Sequence, residues 1–270
     1  MLKQYQPKSK NMEKHNIQNE LQQWAEKAVG KFNELSKETG IGYYQQSPLD
    51  IIYKPIETLI CGINPGSGSS AVCMTPEKFL EGNEEWENRF VSDEENATIT
   101  KDWAKFFGGV HYFVCGDQLR HNKGFDDDAK TVWTNLTPFA TPDTKGLGVE
   151  LYEKTIPYTL DLIKILRPKK IILLGFDTFD KILRYGKIEK GEVIAIPIVK
   201  DKIGKGVLEV GSIYDIPTIQ QPHPSRSWKF HNFFMPIFVK MWSQIIGEKK
   251  SIGETAEKIK AQLTRLEPIE

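Results

Sequence analysis

Three polar side chains in this sequence each stand at or just after the end of a segment that reads as a β-strand. Asn64 lies in Gly62-Ile63-Asn64-Pro65-Gly66, Asn135 in Val132-Trp133-Thr134-Asn135-Leu136-Thr137-Pro138, and His223 in Pro222-His223-Pro224-Ser225. A carboxamide donates and accepts hydrogen bonds at the same time, so it can read a polar edge or hold a water. An imidazole held in one place can stabilise negative charge as it develops. Gly62 and Gly66 allow a ligand to approach the backbone closely, and Pro65 restricts the turn between them. Prolines on both sides of His223 stiffen its backbone in the same way. Alone, Asn-Pro-Gly is a common turn sequence and a histidine after a strand is a common packed residue. Their shared position at strand ends is what suggests a site.

The elements that must position them follow from periodicity. Ile17, Leu21, Trp24, Ala28 and Phe32 recur at helical spacing and predict a helix over Asn16 to Glu38. Strands are expected at Ile56–Ile63, Thr131–Leu136, Ile171–Leu174 and Ile216–Gln220. Helices are expected at Lys101–Phe107, Ile156–Leu166, Phe179–Tyr185 and Asn232–Ile246, with Pro157 in a first turn and Arg167-Pro168 as a stop. Two β-like runs, Glu192–Val199 and Gly206–Ile213, flank Lys-Asp-Lys-Ile-Gly-Lys and read as a hairpin.

Strands separated by helices indicate a parallel sheet, and the continuous apolar run Ile171–Leu174 suits a strand buried on both faces. The expected fold is α/β, a three-layer α/β/α sandwich around a central, mainly parallel four-stranded sheet. In such sheets ligands bind outside the carboxyl ends of the strands, where the three polar motifs lie. The expected organisation is an N-terminal helical extension over residues 1–50, an α/β domain over 51–247 and a charged helical tail over 248–270.

Composition sets outer bounds. The chain has 270 residues, enough for a full core, and its 36 basic and 36 acidic side chains cancel. Any attraction to a polyanion must therefore come from a local patch, such as Arg226, Lys229 and His231 beside the second motif. No apolar run reaches membrane length, and Met1 to Asn16 has no secretory hydrophobic stretch. The three cysteines, Cys61, Cys73 and Cys115, have no close metal-ligand spacing, so reduced thiols and a cytoplasmic location are expected. Asp126-Asp127-Asp128 reads as a solvated loop. Ser67–Ser70 lacks the lysine and second glycine of a phosphate-binding loop.

The two motifs together, in this order, resemble those of the uracil-DNA glycosylase superfamily. Gly62–Gly66 is similar to the water-positioning motif of its single-strand-selective and mismatch-specific branches, and His223-Pro224-Ser225 to its second motif. Asn135 matches the strand-borne asparagine that reads uracil, and Arg167-Pro168-Lys169-Lys170 is similar to the middle region. The resemblance covers about Ile56 to Ile246. It implies base excision: hydrolysis of the bond joining uracil, or a related damaged base, to deoxyribose after the base leaves the stack. Asn64 and His223 would be catalytic. Gly62, Ile63, Pro65, Gly66, Asn135 and Ser225 would line the substrate site, with Phe79 as the aromatic platform and Phe90 in reserve. Arg226, Trp228 and Lys229 would meet DNA. The implied partner is damaged DNA, with no cofactor, metal, membrane or obligate protein partner. The other class of function open to these residues is non-catalytic binding of a nucleobase, nucleotide or nucleic acid. Ser67-Gly68-Ser69-Ser70 and the acidic stretch beyond depart from the family pattern.

Overall fold

In a computed structural model, the structure describes residues 9–66, 71–83, 131–175, 177–188, 194–197, 207–221, 223, 251, 253–254, 256–258 and 261. A long helix, α1 (Ser9–Thr39), leads into β1 (Thr58–Gly62) and a short α2 (Pro76–Leu80). Then follow β2 (Thr131–Asn135), a 3₁₀ turn at Thr144–Gly146, α3 (Val149–Leu166), β3 (Lys170–Leu174) and α4 (Thr178–Gly186). Three strands close the described core: β4 (Ile194–Pro197), β5 (Val207–Ile213) and β6 (Ile216–Gln221).

The fold is α/β, with one sheet ordered β2-β1-β3-β6-β5-β4. β2, β1, β3 and β6 run parallel, and β5 and β4 add antiparallel at the edge beyond β6. The four-stranded sheet expected from sequence is thus the parallel part of a six-stranded one. The β4–β5 hairpin does not stand apart, because β5 also pairs with β6 through a tight turn at Tyr214 and Asp215. Both turn residues have positive φ, 50° and 61°, as a type I′ hairpin turn requires.

Both faces of the parallel strands are buried. On one face Leu59, Cys61, Val132, Ile171 and Leu173 join α1, α3 and α4 in the main apolar cluster. On the other, Ile60, Trp133, Ile172, Leu174 and Ile219 are also shielded from water. The alternation follows from the two-residue period of a strand, and burial on both faces explains why Ile171–Leu174 of β3 reads as a continuous apolar run.

From Ile17 to Leu35, α1 is tied into this core. Phe32 packs edge-on against Tyr43, Phe79, Phe139 and Tyr158, and the Trp24 indole donates to the Tyr158 carbonyl at 2.9 Å. α3 begins seven residues before Ile156, with Gly148 as its N-cap, so Pro157 lies inside the helix and not in its first turn. A proline at that depth gives up one helical hydrogen bond. The burial of Leu151, Tyr152 and Thr155 shows the tertiary contacts that carry the helix across it. The left-handed Arg167, φ 48°, ends α3 ahead of Pro168. Among the described residues, no helix is long and apolar enough to cross a membrane. The expected helices at Lys101–Phe107 and Asn232–Ile246 lie outside the described residues.

Candidate functional site

Because β2, β1, β3 and β6 are parallel, their carboxyl ends lie along one edge of the sheet. Asn135 is the last residue of β2, Asn64 follows β1 by two residues, and His223 follows β6 by two. Topology therefore brings the three sequence-selected groups to the same edge.

The first turn is held by bonds from several segments. Past β2, the Leu136 N–H donates to the Gly62 carbonyl at 2.8 Å and the Thr137 N–H to the Ile63 carbonyl at 3.1 Å. The Tyr44 hydroxyl donates to the Pro65 carbonyl at 2.8 Å. Asn64 Nδ2 donates to the Thr141 carbonyl at 2.9 Å and to Thr141 Oγ1 at 3.1 Å. Thr141 Oγ1 in turn donates to the Asp143 carbonyl at 2.6 Å, so it faces Asn64 as an acceptor. With its donor hydrogens engaged, Asn64 is left with Oδ1 as the group to offer a ligand or a water. Gly66 has φ 74°, a left-handed conformation that glycine adopts without strain. Ile63, Asn64, Pro65 and Gly66 are all half-buried.

Asn135 is buried, and its Nδ2 donates to Gln46 Oε1 at 3.1 Å. Its Oδ1 lies over Gly62: a Cβ placed on Gly62 would come within 2.5 Å of it. Gly62 pairs with Asn135 across the strands, so the missing side chain is what lets the carboxamide fold over β1. This orientation leaves Oδ1 as an acceptor and the second Nδ2 hydrogen as a donor, the pattern complementary to an N–H beside a carbonyl. Gln46 belongs to a segment that covers the free edge of β2. Ser47 Oγ accepts from the Trp133 N–H at 2.8 Å, while the Ser47 N–H and Gln45 Nε2 both donate to the Trp133 carbonyl at 3.1 Å. Gln45, Gln46 and Ser47, ahead of the boundary expected at residue 50, thus pack on the edge strand of the sheet.

Phe79 requires a correction. Its ring is 2% exposed and packs against Trp24, Phe32 and Tyr43 with centroids 5.9, 5.7 and 5.8 Å away. It is a core residue, its ring committed to packing among the aromatic side chains of the main cluster. His223 is half-buried and engaged in an interaction of its own. Ser225, Arg226, Trp228, Lys229, Phe90 and Asp126–Asp128 lie outside the described residues. Cys61, one residue before Gly62, is fully buried, and that burial pushes its thiol far above the ordinary range, so it is no nucleophile. Among the described residues, no cluster of histidine, cysteine and carboxylate side chains could hold a metal.

No protein-family model matches this chain, and no curated protein matches it at a significant level. The functional reading accordingly rests on the residues themselves. Sequence reasoning missed Tyr44, Gln46 and Thr141. None sits in a motif, and each acts by reaching a residue selected from elsewhere in the chain.

Proposed function

We propose that this protein is a monofunctional DNA glycosylase, hydrolysing the N-glycosidic bond of uracil or a related damaged base in DNA. What carries the reading is the pairing of two fixed carboxamides at one end of the parallel sheet. Asn64 has its donors committed to Thr141, and Asn135 is folded over Gly62.

In this reading Asn135 accepts from the uracil N3–H and donates to O4. Cytosine presents the reverse pattern, leaving buried polar groups unpaired, and is rejected. Asn64 Oδ1 accepts a hydrogen bond from the attacking water and orients it toward the sugar. An amide is too weak a base to take the proton, so Asn64 positions the water without deprotonating it. His223 donates to O2 as the glycosidic bond stretches and negative charge collects on the base. Arg226, Trp228 and Lys229 follow the second motif and would contact the phosphates and the gap left by the flipped base. The partner is DNA and the proposed location is cytoplasmic.

The test is release of uracil from single-stranded and mismatched oligonucleotides, read as abasic sites cleaved by alkali. Asn64→Ala and His223→Ala should each lower the single-turnover rate by about 10²–10³. Wild-type protein that leaves uracil, hypoxanthine, xanthine and hydroxymethyluracil in place would overturn the enzyme reading. Tight, salt-sensitive DNA binding without excision would instead favour a non-catalytic binder on the same fold.

A further inference from the structure

Gln221 ends β6, and its side chain is fully buried with neither Nε2 nor Oε1 hydrogen-bonded. Its neighbour Gln220 shows how this strand satisfies a glutamine. Gln220 Oε1 accepts the Phe179 N–H at 2.6 Å at the start of α4, and Nε2 donates to Glu209 on β5. Successive residues of a strand face opposite sides, so Gln221 lies on the face away from α4. Asn135 and Gly62 share that face, opposite Val132 and Cys61 of the main cluster.

Register completes the picture. Gly62 pairs with Asn135 and Leu174 with Gln221, and one step beyond the Cys61–Leu173 pair aligns Gly62 with Leu174. The last rung of the parallel sheet therefore reads Asn135, Gly62, Leu174, Gln221. Two carboxamides flank a residue with no side chain and an apolar one. The strands that carry them are three spacings apart, about 14 Å, and the Asn135 carboxamide reaches over Gly62 into that span. An apolar floor with polar groups at its margins is the usual build of a site for a planar heterocycle. A buried carboxamide with both functions unmatched is costly, and a ligand carbonyl accepting from Nε2 would remove part of that cost.

We propose that Gln221 is a specificity-determining residue that reads a second polar edge of the base held by Asn135. The ligand class is a base with a lactam edge for Asn135, a carbonyl beside an N–H, and a further carbonyl that accepts from Gln221 Nε2. This rests on the base-binding reading of the site, though not on its catalysis. The inference predicts a separation that a structural glutamine would not produce. Gln221→Met keeps the length of the side chain and removes both unmatched polar atoms. It should raise the melting temperature by about 2–6 °C while weakening base binding by about tenfold or more. Gln220→Met, at the satisfied neighbour, should lower the melting temperature.

The experiment measures melting temperature and calorimetric affinity for uracil, thymine, cytosine and hypoxanthine, beside excision from uracil-containing DNA, in wild type and both variants. Support is a more stable Gln221→Met protein with weaker binding and a changed order among the bases. A less stable variant, or one binding the bases with wild-type affinity and order, overturns the proposal. If excision persists unchanged in that variant, the glycosylase reading survives without Gln221. If wild type excises nothing but binds a base through Gln221, the catalytic reading fails and this one stands. Wild type binding none of the four bases overturns it.

Discussion

At the scale of single residues, the site's chemistry depends on which end of each carboxamide is committed. Asn64 would be an ambiguous group if its amide could rotate. Two acceptors on Thr141 remove that ambiguity, one from the backbone and one from the hydroxyl. Under the proposed function Thr141 is thus a positioning residue, and Thr141→Val tests it by deleting the hydroxyl with little change in shape. The variant should lose about 1 kcal/mol of stability, because the bonds to Asn64 and to the Asp143 carbonyl disappear. The sharper readout is kinetic. With uracil DNA as substrate, kcat should fall about tenfold at unchanged KM, since only the water's orientation is disturbed. A variant with reduced stability but wild-type kcat would assign Thr141 a structural role alone.

At the scale of elements, the arrangement depends on how closely β1 and β2 approach at their ends. Gly62→Ala would place a methyl group 2.5 Å from Asn135 Oδ1, and the carboxamide would have to move off β1. The expected result is a stability loss of about 1–3 kcal/mol in a denaturant melt and at least a hundredfold loss of excision. Wild-type excision in this variant would show that Asn135 does not read the base from its present position. Much of this element layer was legible in the sequence. Ile56–Ile63 and Thr131–Leu136 read as β1 and β2, the continuous apolar run Ile171–Leu174 as β3, and polar residues at the strand ends marked the candidate site edge. The cover on β2 was not legible, because Gln45-Gln46-Ser47 carries no periodicity and its role exists only opposite Trp133 and Asn135. The β5–β6 turn was equally hidden, since Tyr214-Asp215 adopts positive φ without the Asn-Gly sequence that announces such turns. Phe79 was misread because an aromatic residue after a motif looks alike whether it serves a ligand or a core. Only its contacts with α1 decide.

At the scale of the whole molecule, α3 and α4 join the sheet to a polar cluster whose titration couples to folding. Tyr152 stacks on Tyr185 with ring centroids 5.6 Å apart, and the Lys181 ammonium lies 5.5 Å from the Tyr152 ring centre. The Tyr152 hydroxyl is buried without a hydrogen-bond partner. Burial, reinforced by the Asp177 carboxylate and then by Tyr185, pushes its pKa from 10.0 up to about 12. Between those values the unfolded chain has lost the phenolic proton while the folded chain retains it. Unfolding then releases a proton, so stability falls as pH rises through this window and levels off above it. Tyr43 is also raised, by burial in the aromatic cluster under α1, and extends the decline to still higher pH. Tyr152→Phe removes both the titrating group and the unpartnered hydroxyl. Its melting temperature at neutral pH should equal or exceed that of wild type, because no hydrogen bond is lost. Its decline between pH 10 and 12 should be shallower, leaving the Tyr43 contribution. Thermal melts across pH 7 to 12 check both outcomes together. A variant less stable at neutral pH would mean that the hydroxyl has a folded-state partner, and an unchanged alkaline slope would remove Tyr152 as its source.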